Sequence, residues 1–465
     1  MKTVFISIML LCQIAATAQP VFIAEDKIGK KEMDGYQQGY LVDEPKALDG
    51  QLYFTTPGFR LFLTDGTAAG TKMLFQFPEG MLVYIKAVTR KYIYYTIKSY
   101  GSDVLKRMDR ITLKEEQLTN QQKPIVLQRA YSAVFTGAGN EVAAVRMYDL
   151  DAGITQLLSF SDNGPAEAKM VMVNLRSENH AQLNNFSNIA FLDSQIFYNG
   201  FENKLVDGKA VFEYTILSSA LENTATGQDY VIKNSYHIRS QGYELKDALY
   251  TIKDSLFTMG FFQNKATQTR DFFVGAIHPK TLTVPATIAT DQNFAWAQVL
   301  DNQLYIVNGT RLLNWMPGSN TITELYRKRT YQYQYLQPYN SLLKCGNFMV
   351  FREEDSLRTF NLQTKKFDHV TMPDKFMPAN SLFKFMDNYV WTTDKFIYYV
   401  RYEGLVMSLM QYNPVTKEHT PVVFPTSKDE RFDSFLSIFQ TNGKLLFTTK
   451  YIGKKNKPLY KLFMM

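Results

Sequence analysis

Asp49-Gly50-Gln51-Leu52-Tyr53-Phe54 decides the fold, because the same pattern returns along the whole chain. An Asp or Asn with a small polar neighbour precedes a short aromatic and β-branched run. It does so at Asp193-Ser194-Gln195-Ile196-Phe197-Tyr198, Asp254-Ser255-Leu256-Phe257 and Asp301-Asn302-Gln303-Leu304-Tyr305-Ile306. Asp387-Asn388-Tyr389-Val390-Trp391 and Asn442-Gly443-Lys444-Leu445-Leu446-Phe447 continue the series, with weaker copies at Arg90, Asn140 and Gly346. Asp and Asn tolerate the left-handed backbone of tight hairpins, and apolar runs this short are strands rather than helices. Each copy therefore predicts a hairpin turn leading into a buried strand.

Successive anchors lie 41 to 61 residues apart. A second element follows in each interval: strand, polar turn, strand, clearest at 147–155 and 360–367 and repeated at 108–118, 276–285, 314–325 and 411–422. Together they make a four-stranded antiparallel meander, the size of one propeller blade. No long amphipathic helix intervenes, which excludes a parallel α/β fold. The sequence thus predicts an all-β protein, a β-propeller of eight blades within a range of seven to nine, the Asn140 anchor being discounted. The last unit shows only 445–449 and 459–463. Val21-Phe22-Ile23 is expected to supply its outer strand, so that pairing of the N- and C-terminal strands closes the propeller.

Arg60-Leu61-Phe62-Leu63-Thr64-Asp65-Gly66-Thr67-Ala68-Ala69-Gly70-Thr71 resembles the repeat of exported bacterial propellers that reads Glu-Leu-Trp-x-x-Asp-Gly-Thr-x-x-Gly-Thr. The second half matches throughout; Arg60 and Phe62 replace the Glu and Trp. In this turn Gly66 and Gly70 permit positive φ, Asp65 caps, and the threonines suit the flanking strands. The resemblance implies architecture and export, and no common catalytic residues.

Export is also written in the N-terminus. Lys2, the apolar run 4–14 and Ala16-Thr17-Ala18 read as a signal peptide over residues 1–18, leaving 19–465 as a single propeller domain. The run is too short to span a bilayer, which needs about 20 apolar residues, and no later run approaches that length. Lipidation at Cys12 is disfavoured by Leu11 before it. The mature chain keeps one thiol, Cys345, so it folds without an intrachain disulfide. With 465 residues and 45% hydrophobic composition, it is long enough for a self-sufficient core.

The sequence carries no phosphate loop, nucleophile elbow or His-Glu-x-x-His motif. Of five histidines, His278 falls in a turn and His369 and His419 on outer strands, leaving His180 and His237 to face a centre. Two are too few for a catalytic zinc site, so no metal or cofactor is expected. Asp149 and Asp151 open a calcium-like loop, but Phe160 stands where a bidentate Glu is required. Glu353-Glu354-Asp355 reads as a solvated loop. In Arg329-Thr330-Tyr331-Gln332-Tyr333-Gln334-Tyr335 an extended strand sets three tyrosines on one face, suited to stacking on sugars or gripping a peptide. Arg329, Tyr331, Tyr333, Tyr335, His180 and His237 are the candidate ligand-binding residues, with the stretches 161–187 and 217–236 as rival loops. The C-terminal Lys454, Lys455, Lys457 and Lys461 are expected to protect an edge strand.

These features predict a monomeric, exported, non-catalytic bacterial propeller. It would be secreted to the periplasm or cell surface and bind a protein or polysaccharide partner, with no nucleic acid and no transmembrane helix. The alternative is a carbohydrate-active enzyme, a polysaccharide lyase or glycosidase, on the same fold.

Overall fold

At Asp49-Gly50 the backbone takes φ of 51° and 75°, the paired left-handed geometry of a two-residue hairpin, and joins strand Lys46–Leu48 to Gln51–Thr56. Arg60–Thr64 and Lys72–Gln76 complete an antiparallel meander. Asp301-Asn302 repeats the same turn with φ of 50° and 57°. The computed structural model describes residues 20–26, 45–56, 59–78, 81–99, 102–128, 134–138, 141–149, 154–173, 189–192, 195–206, 209–220, 229–239, 249–263, 270–278, 281–290, 296–327, 342–353, 356–370, 390–403, 406–441 and 444–465.

Among them stand nine sheets of four or more strands, numbered here along the chain. They run over 46–76, 82–128, 134–173, 189–239, 249–290, 296–327, 343–370, 390–421 and 431–464. In the ninth, Arg431–Thr441, Lys444–Ile452 and Pro458–Met464 are completed by Val21–Asp26, with Val21 opposite Met464 and Asp26 opposite Tyr460. The second sheet is five-stranded: its outer edge is split, and a small hairpin (Thr119–Asn120 with Lys123–Pro124) is inserted in the gap. No described residue is α-helical.

Burial explains why the second strands are apolar throughout rather than alternating. A sheet packed on both faces hides every residue of its central strands. In Gln51–Thr56, Leu52 and Phe54 join Ile23, Leu446 and Leu462 of the ninth sheet, while Tyr53 joins Val83, Ile85 and Tyr95 of the second. In Gln303–Asn308, Leu304 and Ile306 pack on the fifth sheet, Tyr305 and Val307 on the seventh. In Ile397–Glu403, Ile397 and Tyr399 face the seventh sheet, Tyr398 and Val400 the ninth. The period of two thus sorts side chains between neighbours rather than between core and water. Among the third to fifth sheets, first strands meet in turn: Val134–Ala138 meets Ile189–Leu192, which meets Leu249–Ile252.

Four expectations need correction. The Asn140 anchor, discounted in counting eight, lies between paired strands Val134–Ala138 and Val142–Asp149 that open a full sheet. The Asp387 anchor is displaced: Val390–Thr392 is the first strand of its sheet, and the hairpin falls at Thr393–Phe396, where Thr393 N donates to Phe396 O at 2.9 Å. The stretches read as long loops contain strands Lys169–Val173, Lys209–Ala220 and Asp229–Arg239. Finally, Lys461 does not guard an edge, because Pro458–Met464 is paired on both sides.

Candidate functional site

Strand alternation divides each sheet into two ends. Turns from first to second and third to fourth strands share one end; second-to-third turns share the other with the connections to the next sheet.

At the turn end, several Asp and Asn side chains are satisfied within their own turns. Asp109 Oδ1 accepts from the amides of Ile111 and Thr112 at 2.9 and 2.8 Å, and Asn361 Oδ1 from those of Gln363 and Thr364, both at 2.9 Å. Asn413 Oδ1 does the same with Val415 and Thr416. Each of these turns closes through a left-handed residue: Leu113, Lys365 and Lys417, φ 57°, 56° and 61°. In the 60–71 motif the side-chain bonds are likewise local. Asp65 Oδ1 accepts from the amide and hydroxyl of Thr67 at 2.8 and 2.7 Å, which holds its carboxyl below the usual range. Gly66 has φ 93°, as its sequence role requires. Gly70 serves differently: a Cβ there would stand 2.1 Å from the Asp65 carboxyl, so the residue makes room rather than a left-handed turn.

The sequence candidates fall, in sequence, mostly between sheets. Residues 328–341, holding Arg329, Tyr331, Tyr333 and Tyr335, link the sixth sheet's last strand, Thr323–Arg327, to the seventh's first, Leu343–Cys345. His180 lies within 174–188, which links the third sheet to the fourth. Both segments are outside the described residues, as are 150–153 of the calcium-like loop and Glu354-Asp355. The backbone at His237 belongs to Asp229–Arg239, the fourth sheet's last strand, close to where that strand ends.

His369 and His419 sit on the last strands of their sheets. His419 is buried, its Nδ1 2.7 Å from the Tyr399 hydroxyl, and it packs against the Tyr412 ring. Burial pushes the Cys345 thiol up to about 12, so it is not a nucleophile at neutral pH. No group of three metal-ligating side chains converges among the described residues.

A polar cluster around buried Arg107 and Asp162 joins the second sheet to the third. The Arg107 guanidinium pairs with Glu116 at 2.7 Å, lies over the Tyr92 ring at 3.9 Å and donates to the Gly164 carbonyl at 3.0 Å. Beside it, buried Asp162 accepts from the Thr89 hydroxyl at 2.5 Å and the Lys91 amide at 2.9 Å. Burial raises its carboxyl pKa despite those donors. With its donors and acceptors matched, this network fastens sheets rather than binding a ligand.

Sequence reading missed the convergence of two segments at the connection end of the ninth sheet. Residues 425–433 enter its first strand; 453–457 join its second and third. Lys454 pairs with Asp429 at 2.9 Å, Lys461 with Glu430 at 2.6 Å and Lys450 with Asp433 at 3.1 Å. Tyr451 OH donates to the Pro425 carbonyl at 3.1 Å, and Arg431 stands opposite Ile452 in the register. Only that register brings residues 17 to 31 positions apart into one cluster; the available signal was the lysine-dense run 454–457.

No described helix is long and apolar enough to cross a membrane. No family model matches the chain, and no curated protein matches it. Among solved structures, Porphyromonas gingivalis dipeptidyl peptidase 4 aligns over 92% of this chain and 67% of its own, at 9% identity and a TM-score of 0.50. BamB from Moraxella catarrhalis aligns over 96% and 100%, at 10% identity and 0.39, and the Dos1 propeller over 82% and 93%, at 9% and 0.39. At such identity the likeness concerns fold alone; the repeated four-stranded antiparallel sheets, with the 0.50 alignment, make the chain a β-propeller.

Proposed function

We propose that the chain is an exported, non-catalytic β-propeller that binds a macromolecular partner, protein or glycan, in the periplasm or at the cell surface. Residues 1–18 are its signal peptide. The mature monomer closes nine blades into one ring, with Val21–Asp26 as the clasp. One observation carries the binding reading: Arg329, Tyr331, Tyr333, Tyr335 and His180 lie in sequence between the last strand of one sheet and the first strand of the next, and His237 near the end of a last strand. Propellers present their variable chemistry on such loops, held by rigid sheets.

The test is electrophoresis of residues 19–465 through gels containing neutral and acidic polysaccharides, beside crosslinking in the native envelope. Retardation or a specific crosslink that weakens in the Tyr331→Ala, Tyr333→Ala, Tyr335→Ala variant supports the reading. Clearing of the polymer around the band replaces it with a lyase or glycosidase. Neither retardation nor a crosslinked partner overturns it.

A further inference from the structure

The connection end of the ninth sheet carries a charge excess that its own contacts do not absorb. Residues 425–433 and 450–461 hold seven cations and three carboxylates. Each carboxylate is already paired, Asp429 with Lys454, Glu430 with Lys461 and Asp433 with Lys450. Lys428, Arg431, Lys455 and Lys457 are exposed and have no ionic partner among the described residues. Glu25, on the neighbouring strand, stands opposite Lys461 in the register. The four free cations cannot disperse, because the Lys454–Asp429 pair and the Arg431–Ile452 register tie their two segments together. Lys455 and Asn456 also take left-handed backbone, φ 57° and 56°, in the short turn that joins the second and third strands.

The geometry points to a docking surface for an anionic polysaccharide, made by Lys428, Arg431, Lys455 and Lys457. Cations on a projecting hairpin provide no cradle for a single small anion, but they suit a linear polymer with charge at regular intervals. A bilayer surface fits less well, since the tip Lys454-Lys455-Asn456-Lys457 has no aromatic or aliphatic side chain to insert. This inference rests on the binding reading above but uses different residues. A chain that ignores polyanions and still engages a partner through Tyr331, Tyr333 and Tyr335 loses this inference alone.

Polygalacturonate and dextran sulfate serve as probes, one carrying carboxylates and the other sulfates, with binding followed across sodium chloride concentrations. The expected result is affinity that falls with salt at a log–log slope of about −3, as release of counterions from four contacts requires. Lys428→Gln, Arg431→Gln, Lys455→Gln, Lys457→Gln together should weaken binding at least tenfold. Removing equal charge elsewhere, with Lys72→Gln, Lys123→Gln, Lys366→Gln, Lys395→Gln, should leave it unchanged. All eight sites are exposed, and matching thermal melts check that both variants fold. Equal loss in the two variants, or no binding by the unmodified chain, overturns the proposal. Tighter binding to vesicles of anionic phospholipid or to polyglutamate reassigns the surface to a membrane or an acidic protein.

Discussion

Lys444 donates from Nζ to the carbonyl oxygen of Asp65 at 3.1 Å, joining the ninth sheet to the first across 379 positions of sequence. The contact meets the turn built on Asp65-Gly66-Thr67. Its bond lies at the surface, while beneath it Leu446, Leu462 and Met464 bury against Leu52, Phe54 and Phe62. Apolar burial, at roughly 1.5–3 kcal/mol per large side chain, therefore dominates this junction and the exposed hydrogen bond trims its register.

Gly70 and Asp65 should be energetically coupled. Gly70→Ala drives a Cβ into the Asp65 carboxyl, at 2.1 Å before relaxation, and should cost about 2 kcal/mol of stability in urea unfolding. In an Asp65→Ala background the obstructing carboxyl is gone, so the same substitution should cost much less. Equal costs in the two backgrounds would show that the glycine is needed for another reason.

Val21–Asp26 should keep the chain monomeric. Deleting it leaves Pro458–Met464 with an unpaired edge and uncovers the cluster that Ile23 seals. Light scattering should then show association that grows with concentration, whereas Ile23→Ala should keep the edge covered and lower stability by about 2–4 kcal/mol. A monomeric deletion variant of unchanged stability would refute this role.

What the sequence conveys, and what it hides, follows from local and non-local physics. Asp49-Gly50 and Asp301-Asn302 were legible because left-handed turns demand particular residues within two positions. Asp387 misled because Asp387-Asn388 mimics such a turn before an apolar run, while the real hairpin uses Thr393, whose hydroxyl accepts from the Phe396 amide at 3.3 Å. Lys428 and Arg431 carried no local signal, since their proximity to Lys455 and Lys457 exists only once Arg431–Thr441 pairs with Lys444–Ile452. The candidate tyrosines were legible as a pattern, but a pattern within a connection says nothing about its shape.

Gln121-Gln122 marks a local sacrifice of stability. Both residues are left-handed, φ 51° and 63°, at the tip of the hairpin inserted in the second sheet. Neither has the short side chain that tolerates this geometry, which costs roughly 1–2 kcal/mol for an ordinary residue. Gln121→Asn with Gln122→Gly should raise the melting temperature, the relief outweighing the added freedom of the unfolded glycine. Thr119, one turn back, pairs with the third sheet through Ala166 and Ala168, so a lowered melting temperature would mean that the glutamines themselves hold that bridge.

Acid should unfold the protein mainly by removing charge from carboxylates that the fold prefers ionised. Glu430 is the clearest: the Lys461 ammonium at 2.6 Å, with the Ser427 amide at 3.3 Å, lowers its pKa below the ordinary 4.5. A carboxyl depressed in the folded state contributes stability above its unfolded pKa and loses it as pH falls through the folded one. Glu430→Gln should therefore be less stable than the unmodified chain at pH 7, with the gap closing below about pH 4.5 as both side chains become neutral. Asp162 has the opposite sign: burial raises its pKa, so its titration favours the folded state as pH falls. Asp65, Asp109, Glu167 and Glu324 share the sign of Glu430, so among the described residues five depressed carboxyls oppose one raised carboxyl and stability should decline toward acid. Urea midpoints measured from pH 7 to 3 decide it, and a Glu430→Gln gap that stayed constant over that range would locate its cost in packing rather than charge.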